Sequence, residues 1–515
     1  TISGTGTSQL SKTQGNTWTI TGTNNSYTGA TNILDGVLSF AVIADSGVNS
    51  SIGAGSSITF GQNATTNSSP GTLRFTGASG GSSNRSLSIG NGPAGGALNG
   101  SALIENTVAG QTLTLSGNLT TAAPGSASTL TVQGAGNGVL SGNITGSPAM
   151  VLVKNGTGTW TLSGANTYTG ATTIQAGRLV AGVSDVASTS GAFGKASSAI
   201  VLGNGSTLVG DAPTLLINGA FTVGRNITVG SVAAAGIAYN ATIGGSNTSG
   251  TSTYTGNITL NTTANSYTAT LQAATGGTVE FKTGTWTTNN KAIRIGSSGN
   301  TGTVMLSNNI ATTGGISVNY GTLAMNSAFT GGNMTVASGA TLKGTGSIAG
   351  PVIVDGILSP GASIESLTTG ALTLNNGSTF AYEMHSTSVT ADLLKVSGDV
   401  NLNGTVNLTL DDLAAPDAAF APGTKFSLIN YTGSLNGGFF YGVALGDGDS
   451  FLAGLNNWTI TYGDSEGGVN FLGEYFGGAD KFVNLTLTAI PEPGSWLALG
   501  CLIGSGAFLR RRKNR

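Results

Sequence analysis

The chain has 515 residues, of which only 8% are charged and 85 are glycine, against roughly 25% charged and about 7% glycine in ordinary soluble domains. That excludes ordinary helical domains, because helices draw on Ala, Leu, Glu, Lys and Arg, whereas the Thr, Ser, Asn, Gly and Val that dominate here favour strands and turns. The net charge of −2 hides a split: five of the 19 basic residues lie in the last six positions, which leaves 14 basic against 21 acidic residues elsewhere, a mildly acidic body that speaks against a nucleic-acid partner.

Taken in chain order, the start TISGTG has neither Met nor a charged-then-apolar leader, as expected of a processed secretory chain or of a fragment. Residues 12–40, KTQGNTWTITGTNNSYTGATNILDGVLSF, are echoed at 154–180, KNGTGTWTLSGANTYTGATTIQAGRLV. Trp18 aligns with Trp160 and Tyr27 with Tyr168. A decayed copy reads GTVMLSNNIATTGGISVNYGTLAM over 302–325. Within each unit, runs of four to six residues alternate polar and apolar and are bounded by Gly or Asn, the signature of short strands and turns.

Such strands cannot bury an apolar face alone, and their repetition predicts stacked coils of a β-solenoid at about 20 residues per coil. Low charge fits this arrangement. Each side chain stands about 4.8 Å above its equivalent in the coil below, so charged columns repel while Thr, Ser and Asn hydrogen-bond along the ladder. The same grammar persists to residue 413. From 414 to 489 aromatic and acidic residues increase, which reads as a β-rich cap covering the open end of the stack. Residues 490–515 form a separate segment: Pro491-Glu492-Pro493, an apolar run from Ser495 to Leu509, then Arg510-Arg511-Arg512-Lys513.

Two resemblances follow from these motifs. The unit GTGTWTLSGANTYTGATTIQAGRLV resembles the autotransporter-associated β-strand repeat of bacterial surface and secreted proteins, which implies an all-β fold, a right-handed parallel β-helix. The three-part end is similar to the PEP-CTERM sorting signal of Gram-negative bacteria. That resemblance implies a membrane-embedded exosortase as processing partner and delivery to the cell exterior, often alongside exopolysaccharide. The apolar run, including Ser495, Trp496, Leu497, Leu499, Leu502, Ile503, Phe508 and Leu509, would span about 22 Å as a helix. This is short of the roughly 30 Å hydrocarbon core, as suits a transient inner-membrane anchor with its basic end in the cytoplasm.

Chemistry is sparsely provided for. Before residue 351 the only acids are Asp35, Asp45, Glu105, Asp185, Asp211 and Glu280, scattered, whereas glycoside hydrolysis needs a facing carboxylate pair. Glu383 and His385, two apart, would share a strand face as an acid/base or metal pair; the plainer reading is a surface pair. Asp447 and Asp449 in GDGDS read as a solvated turn without the remaining ligands of a calcium loop. Trp18 and Trp160, flanked by Thr, are expected to face the core rather than to serve as sugar platforms. A single Cys501 and a single His385 exclude disulfides, cysteine zinc clusters and HExxH sites, so no catalytic residue, metal or cofactor is expected.

The expected function is that of an exported, non-enzymatic structural or adhesive protein of the surface or extracellular matrix, associated with exopolysaccharide. The alternative is a β-helix polysaccharide lyase or glycosidase, which a groove gathering Asp185, Asp211, Lys195 and Arg225 would favour. A third reading, an autotransporter passenger, ranks below because no long run of amphipathic barrel strands follows.

Overall fold

The computed structural model describes residues 1–4, 8–61, 70–90, 100–121, 128–146, 150–204, 206–208, 210–230, 240–261, 268–415, 420–440, 445–453, 456–473 and 480–489. Among them every regular element is a strand, and no helix is long and apolar enough to cross a membrane. The sorting-signal residues Pro491, Glu492, Pro493 and Arg510–Lys513, and the helix expected over Ser495–Leu509, lie outside the described residues. The chain divides into two compact units, Thr1–Asn289 and Asn290–Arg515.

In the first unit, short parallel strands stack in register. One stack runs Leu10–Lys12, Thr31–Ile33, Ser57–Phe60, Ser86–Ile89, Leu119–Thr121 and Ile144–Thr145. A second begins Thr17–Ile20, Val37–Phe40, Gly71–Phe75 and Ser101–Asn106, and continues through Thr129–Gln133, Val151–Lys154 and Thr172–Ile174 to Trp286–Thr287. A third includes Gly81–Ser83, Thr112–Leu115, Asn137–Leu140, Thr159–Leu162, Arg178–Ala181 and Thr214–Ile217. From Ser57–Phe60 to Thr159–Leu162 the chain visits the three stacks in rotation, the coil of a β-solenoid; before it the strands alternate between the first and second stacks, and from Thr172–Ile174 to Thr214–Ile217 between the second and third.

Alternation along each strand sends one side chain in two inward, so register turns sequence into columns. In the second stack the inward column reads Leu38, Leu73, Ile104, Val132, Lys154, Ile174 and Leu202, all buried. The outward column through Thr131, Val153, Thr173 and Val201 is uncharged, as expected where like side chains stack at the inter-strand spacing. Each buried Leu or Ile contributes roughly 1.5–3 kcal/mol of apolar transfer free energy.

In the second unit three stacks are likewise parallel, one of them through Ile293–Ile295, Ile316–Val318, Met334–Val336, Val352–Val354 and Leu372–Leu374. Coils there take 18 to 23 residues, from Ile293 to Ile316 and on to Met334, Val352 and Leu372, close to the expected repeat. In the first unit the spacing varies more, from 20 residues (Thr17 to Val37) to 34 (Val37 to Gly71). Pairing becomes antiparallel where Lys425–Tyr431 meets Lys481–Ala489, which in turn pairs with Asn456–Asp464. There Phe420, Phe426 and Trp458 pack ring to ring at 5.0–5.9 Å.

Candidate functional site: the buried polar knot of the repeat

The chemistry of the first unit is concentrated inside it, twice. Lys154 occupies an inward position of an apolar column and is fully buried. Its ammonium donates to the carbonyls of Asn155 (2.8 Å), Gly156 (2.6 Å) and Ala176 (3.0 Å), which uses all three protons. Burial, helped by the positive charge of Arg178, pulls its pKa down to about 7. Lys12, also buried, donates to the carbonyls of Gln14 and Asp35; burial lowers its pKa while the Asp35 charge opposes that.

Asn166 knits three coils. Its Oδ1 accepts from the Ile144 N–H (2.7 Å), its Nδ2 donates to the Ala192 carbonyl (2.7 Å), and its backbone exchanges two bonds with Gly191. Asn25 does the same with Ile2 (2.6 Å), Ser51 (2.6 Å) and Ser50. The two tyrosines follow: Tyr168 meets the Thr172 hydroxyl at 3.0 Å and Tyr27 that of Thr31 at 2.9 Å, and both rings are buried. Burial raises the pKa of each phenol.

Against each tyrosine lies a glycine in the left-handed region, Gly53 (φ 68°) and Gly194 (φ 78°). A Cβ on Gly53 would stand 2.7 Å from the Tyr27 ring, and one on Gly194 2.9 Å from Tyr168 Cγ. Both the backbone angle and the space therefore demand glycine.

An arginine closes each knot from a later coil. Arg85 donates to the carbonyls of Ile52 (2.6 Å) and Gly53 (2.5 Å) and to the Ser50 hydroxyl (3.2 Å). Arg225 donates to the Phe193 carbonyl (2.8 Å) and, through Nε and Nη2, to that of Ser198 (2.9 and 2.5 Å). Both guanidinium groups are buried, and burial depresses their pKa values. Arg225 also has Asp185 at 3.9 Å. The Asp185 carboxylate accepts from the Phe193 N–H (2.7 Å), and burial pushes its pKa up to about 6.

The expected repeat residues divide on one point. Trp160 is fully buried: its ring lies over Gly138, whose missing side chain makes the room, since a Cβ there would stand 2.5 Å from Trp160 Cδ2. Trp18, expected in the core, is 37% exposed. Its strand pairs with Val37–Phe40, and among the described residues no strand covers its other side; Lys12 Nζ sits 5.5 Å from the ring centre instead.

Of the four residues proposed for a catalytic groove, the fold brings Asp185 and Arg225 together, but inside the knot rather than on a surface. Lys195 is exposed, and Asp211 accepts the Leu208 N–H within its own turn (2.7 Å). Of the other early acids, Glu105 pairs with Arg74 at 2.5 Å and Glu280 with Lys282 at 3.9 Å, while Asp35 is buried and Asp45 exposed.

In the second unit, Glu383 and His385 do share a strand face, and His385 Nδ1 accepts the Ser388 N–H at 3.2 Å. Asp447 and Asp449 accept the N–H groups of Tyr462 (2.8 Å) and Gly446 (2.6 Å). Among the described residues no group of three or more His, Cys, Asp or Glu side chains could hold a metal ion. Sequence reasoning missed Asp392, which is buried, accepts the N–H groups of Glu365 (3.0 Å) and Glu383 (3.1 Å), and has its pKa raised by burial to about 8. It also missed Arg85, and it placed Arg225 in a groove rather than in a buried socket, although SNRSLSIG and VGRNITVG carry the two arginines in like settings.

Comparison with known proteins agrees with this doubled architecture. Residues 10–40 and 152–181 match the passenger-associated-transport-repeat family; 302–325 lies outside those matches. Over 245 residues the chain is 31% identical to the adhesin BmaC autotransporter of Brucella suis biovar 1 (strain 1330), an alignment covering 47% of this chain and 6% of that protein. The chain thus carries autotransporter-associated repeats, and it spans a small fraction of the length of the adhesin it resembles.

Proposed function

We propose that this chain is an exported, non-enzymatic adhesive or structural protein of the cell surface or matrix, its solenoid presenting uncharged outward columns to a polysaccharide or other surface component. The observation that carries the reading is the pair of transport-repeat copies, each folded into coils whose lysine, Lys12 or Lys154, is turned inward and bonded to backbone carbonyls. Weak contacts repeated along such columns would bind by avidity. The adhesin likeness supports this reading, with right-handed winding as the repeat resemblance implies.

The resemblance of the C-terminal segment to the PEP-CTERM signal supports the route: an inner-membrane-anchored precursor, processed by an exosortase and released toward exopolysaccharide. Expression of the full chain in hosts with and without an exosortase tests it by intact mass. Loss of the end through Arg515 is expected only where the enzyme is present; retention of Arg515 in both hosts would remove the sorting reading. The released product is expected to be retained on exopolysaccharide-coated surfaces without liberating reducing ends or unsaturated sugars; such products would instead establish the enzyme. A second reading, an autotransporter passenger, is favoured by the BmaC likeness.

A further inference from the structure

Two segments of the first unit interrupt its stacked strands. Residues 41–56 and 182–199 are straps of turns, crossed only by isolated bridges, and they follow the two repeat copies at the same distance. Each strap lies against a repeat tyrosine: the Ala54 N–H donates to the Tyr27 carbonyl (2.8 Å) and the Lys195 N–H to that of Tyr168 (2.7 Å). A strap lacks the ladder that secures a strand on both edges, so something else must hold it against the coil.

We propose that Arg85 and Arg225 are latches: each reaches from the following coil into its strap and holds it closed over the tyrosine, so that strap and arginine open as a local unit independent of the other copy. The sockets are built for this. Arg85 faces four acceptors within the strap, the Val48, Ile52 and Gly53 carbonyls and the Ser50 hydroxyl. Arg225 bridges the Phe193 and Ser198 carbonyls, five residues apart. Without the guanidinium the Phe193 and Ser198 carbonyls lose these charged donors, and the Ile52 and Gly53 carbonyls keep only the Thr31 (3.3 Å) and Ser50 (2.8 Å) hydroxyls, a cost the strap avoids by opening to water. Only a planar fork with several donors spans such a socket; the point-like ammonium of lysine does not.

Hydrogen exchange on the full chain tests the latch. In Arg225→Gln, amides of 182–199 are expected to exchange roughly 30-fold faster or more, from the loss of the buried charged bonds, while 41–56 keeps its wild-type rates; Arg85→Gln is expected to give the reverse. Arg225→Lys is expected to behave as Arg225→Gln. Unchanged exchange in the strap, equal acceleration in both straps, or wild-type rates in Arg225→Lys would each overturn the proposal. Should the variants fail to fold, the wild-type chain decides: the amides of Asp185, Gly191, Phe193 and Lys195 are expected to exchange with one common opening, faster than those of Thr172–Ile174, and unrelated rates among the four would overturn it.

Discussion

The two repeat copies hold nearly the same residues and solve the same problem differently. In the first, Arg85 is satisfied by carbonyls and the Ser50 hydroxyl, with no carboxylate at ion-pair distance among the described residues and the Asp45 charge acting from further off. In the second, the position of Ser50 is taken by Gly191, and Asp185 moves into the space: a Cβ on Gly191 would stand 2.7 Å from its Oδ1. A buried guanidinium can thus be satisfied by dipoles alone or by dipoles and a carboxylate, and the exchange takes two coordinated substitutions. The copies differ also in placement. Copy one lays its strands on the first and second stacks, copy two on the second and third, so that Asn166 and Thr167 bond to Ile144 of the first stack.

The largest contrast expected is at the tryptophans. Trp160→Ala should cost about 3–5 kcal/mol, and Trp18→Ala less than about 1 kcal/mol, as a partly exposed ring implies; urea unfolding of the two variants measures the gap, and equal costs would erase the distinction in burial. Next comes the lysine. Because the folded state holds the Lys154 pKa near 7, below its ordinary value of 10.5, the unfolded chain binds more protons between those values. Stability should rise with pH across that window, by up to about 1.4 kcal/mol per unit, and Lys154→Met should abolish the slope. Lys12→Met should change it less, since Asp35 opposes the lowering.

A middle-sized effect tests the coordinated exchange. Gly191→Ser should destabilise by about 1–3 kcal/mol through overpacking, with only part of the loss recovered in Gly191→Ser/Asp185→Ala, because Asp185 Cα and the Ser184 carbonyl stand as close to the added Cβ (2.7 Å) as the carboxylate does; thermal melts of the single and double variants read the coupling. Asp185 adds its own pH signature. With its folded pKa raised to about 6 from 3.8, stability should fall as pH rises through that interval and level off above it, a fall that Asp185→Ala removes. The smallest effect should be shared: Tyr27→Phe and Tyr168→Phe each lose one buried hydroxyl bond, about 1 kcal/mol apiece, and a clear inequality would show that the knots are not equivalent.

Strand positions and the parallel stacking were legible in the sequence because alternation and Gly/Asn punctuation act locally, as in TWTLSG and TTIQAG. The inward course of Lys154 was not, because its burial depends on Val132 and Ile174, which reach it only through register. Arg85 and the inward role of Arg225 escaped for the same reason: Arg85 lies 58 residues beyond Tyr27, on another coil. Trp18 was misplaced because its sequence surroundings match those of Trp160, and what differs is the covering neighbour, not the local pattern. Asp392 carried no sequence signal beyond an acid in an apolar stretch.

The displacement of the motif by one stack between copies has a consequence for how such a chain can grow. If a repeat were tied to one side of the coil, only whole turns could be gained or lost without scrambling everything downstream. A unit that folds on either of two neighbouring pairs of stacks removes that restriction. Insertions and deletions can then be tolerated in steps smaller than a full winding, and lineages of such chains can vary in length while keeping every strand in register with its neighbours.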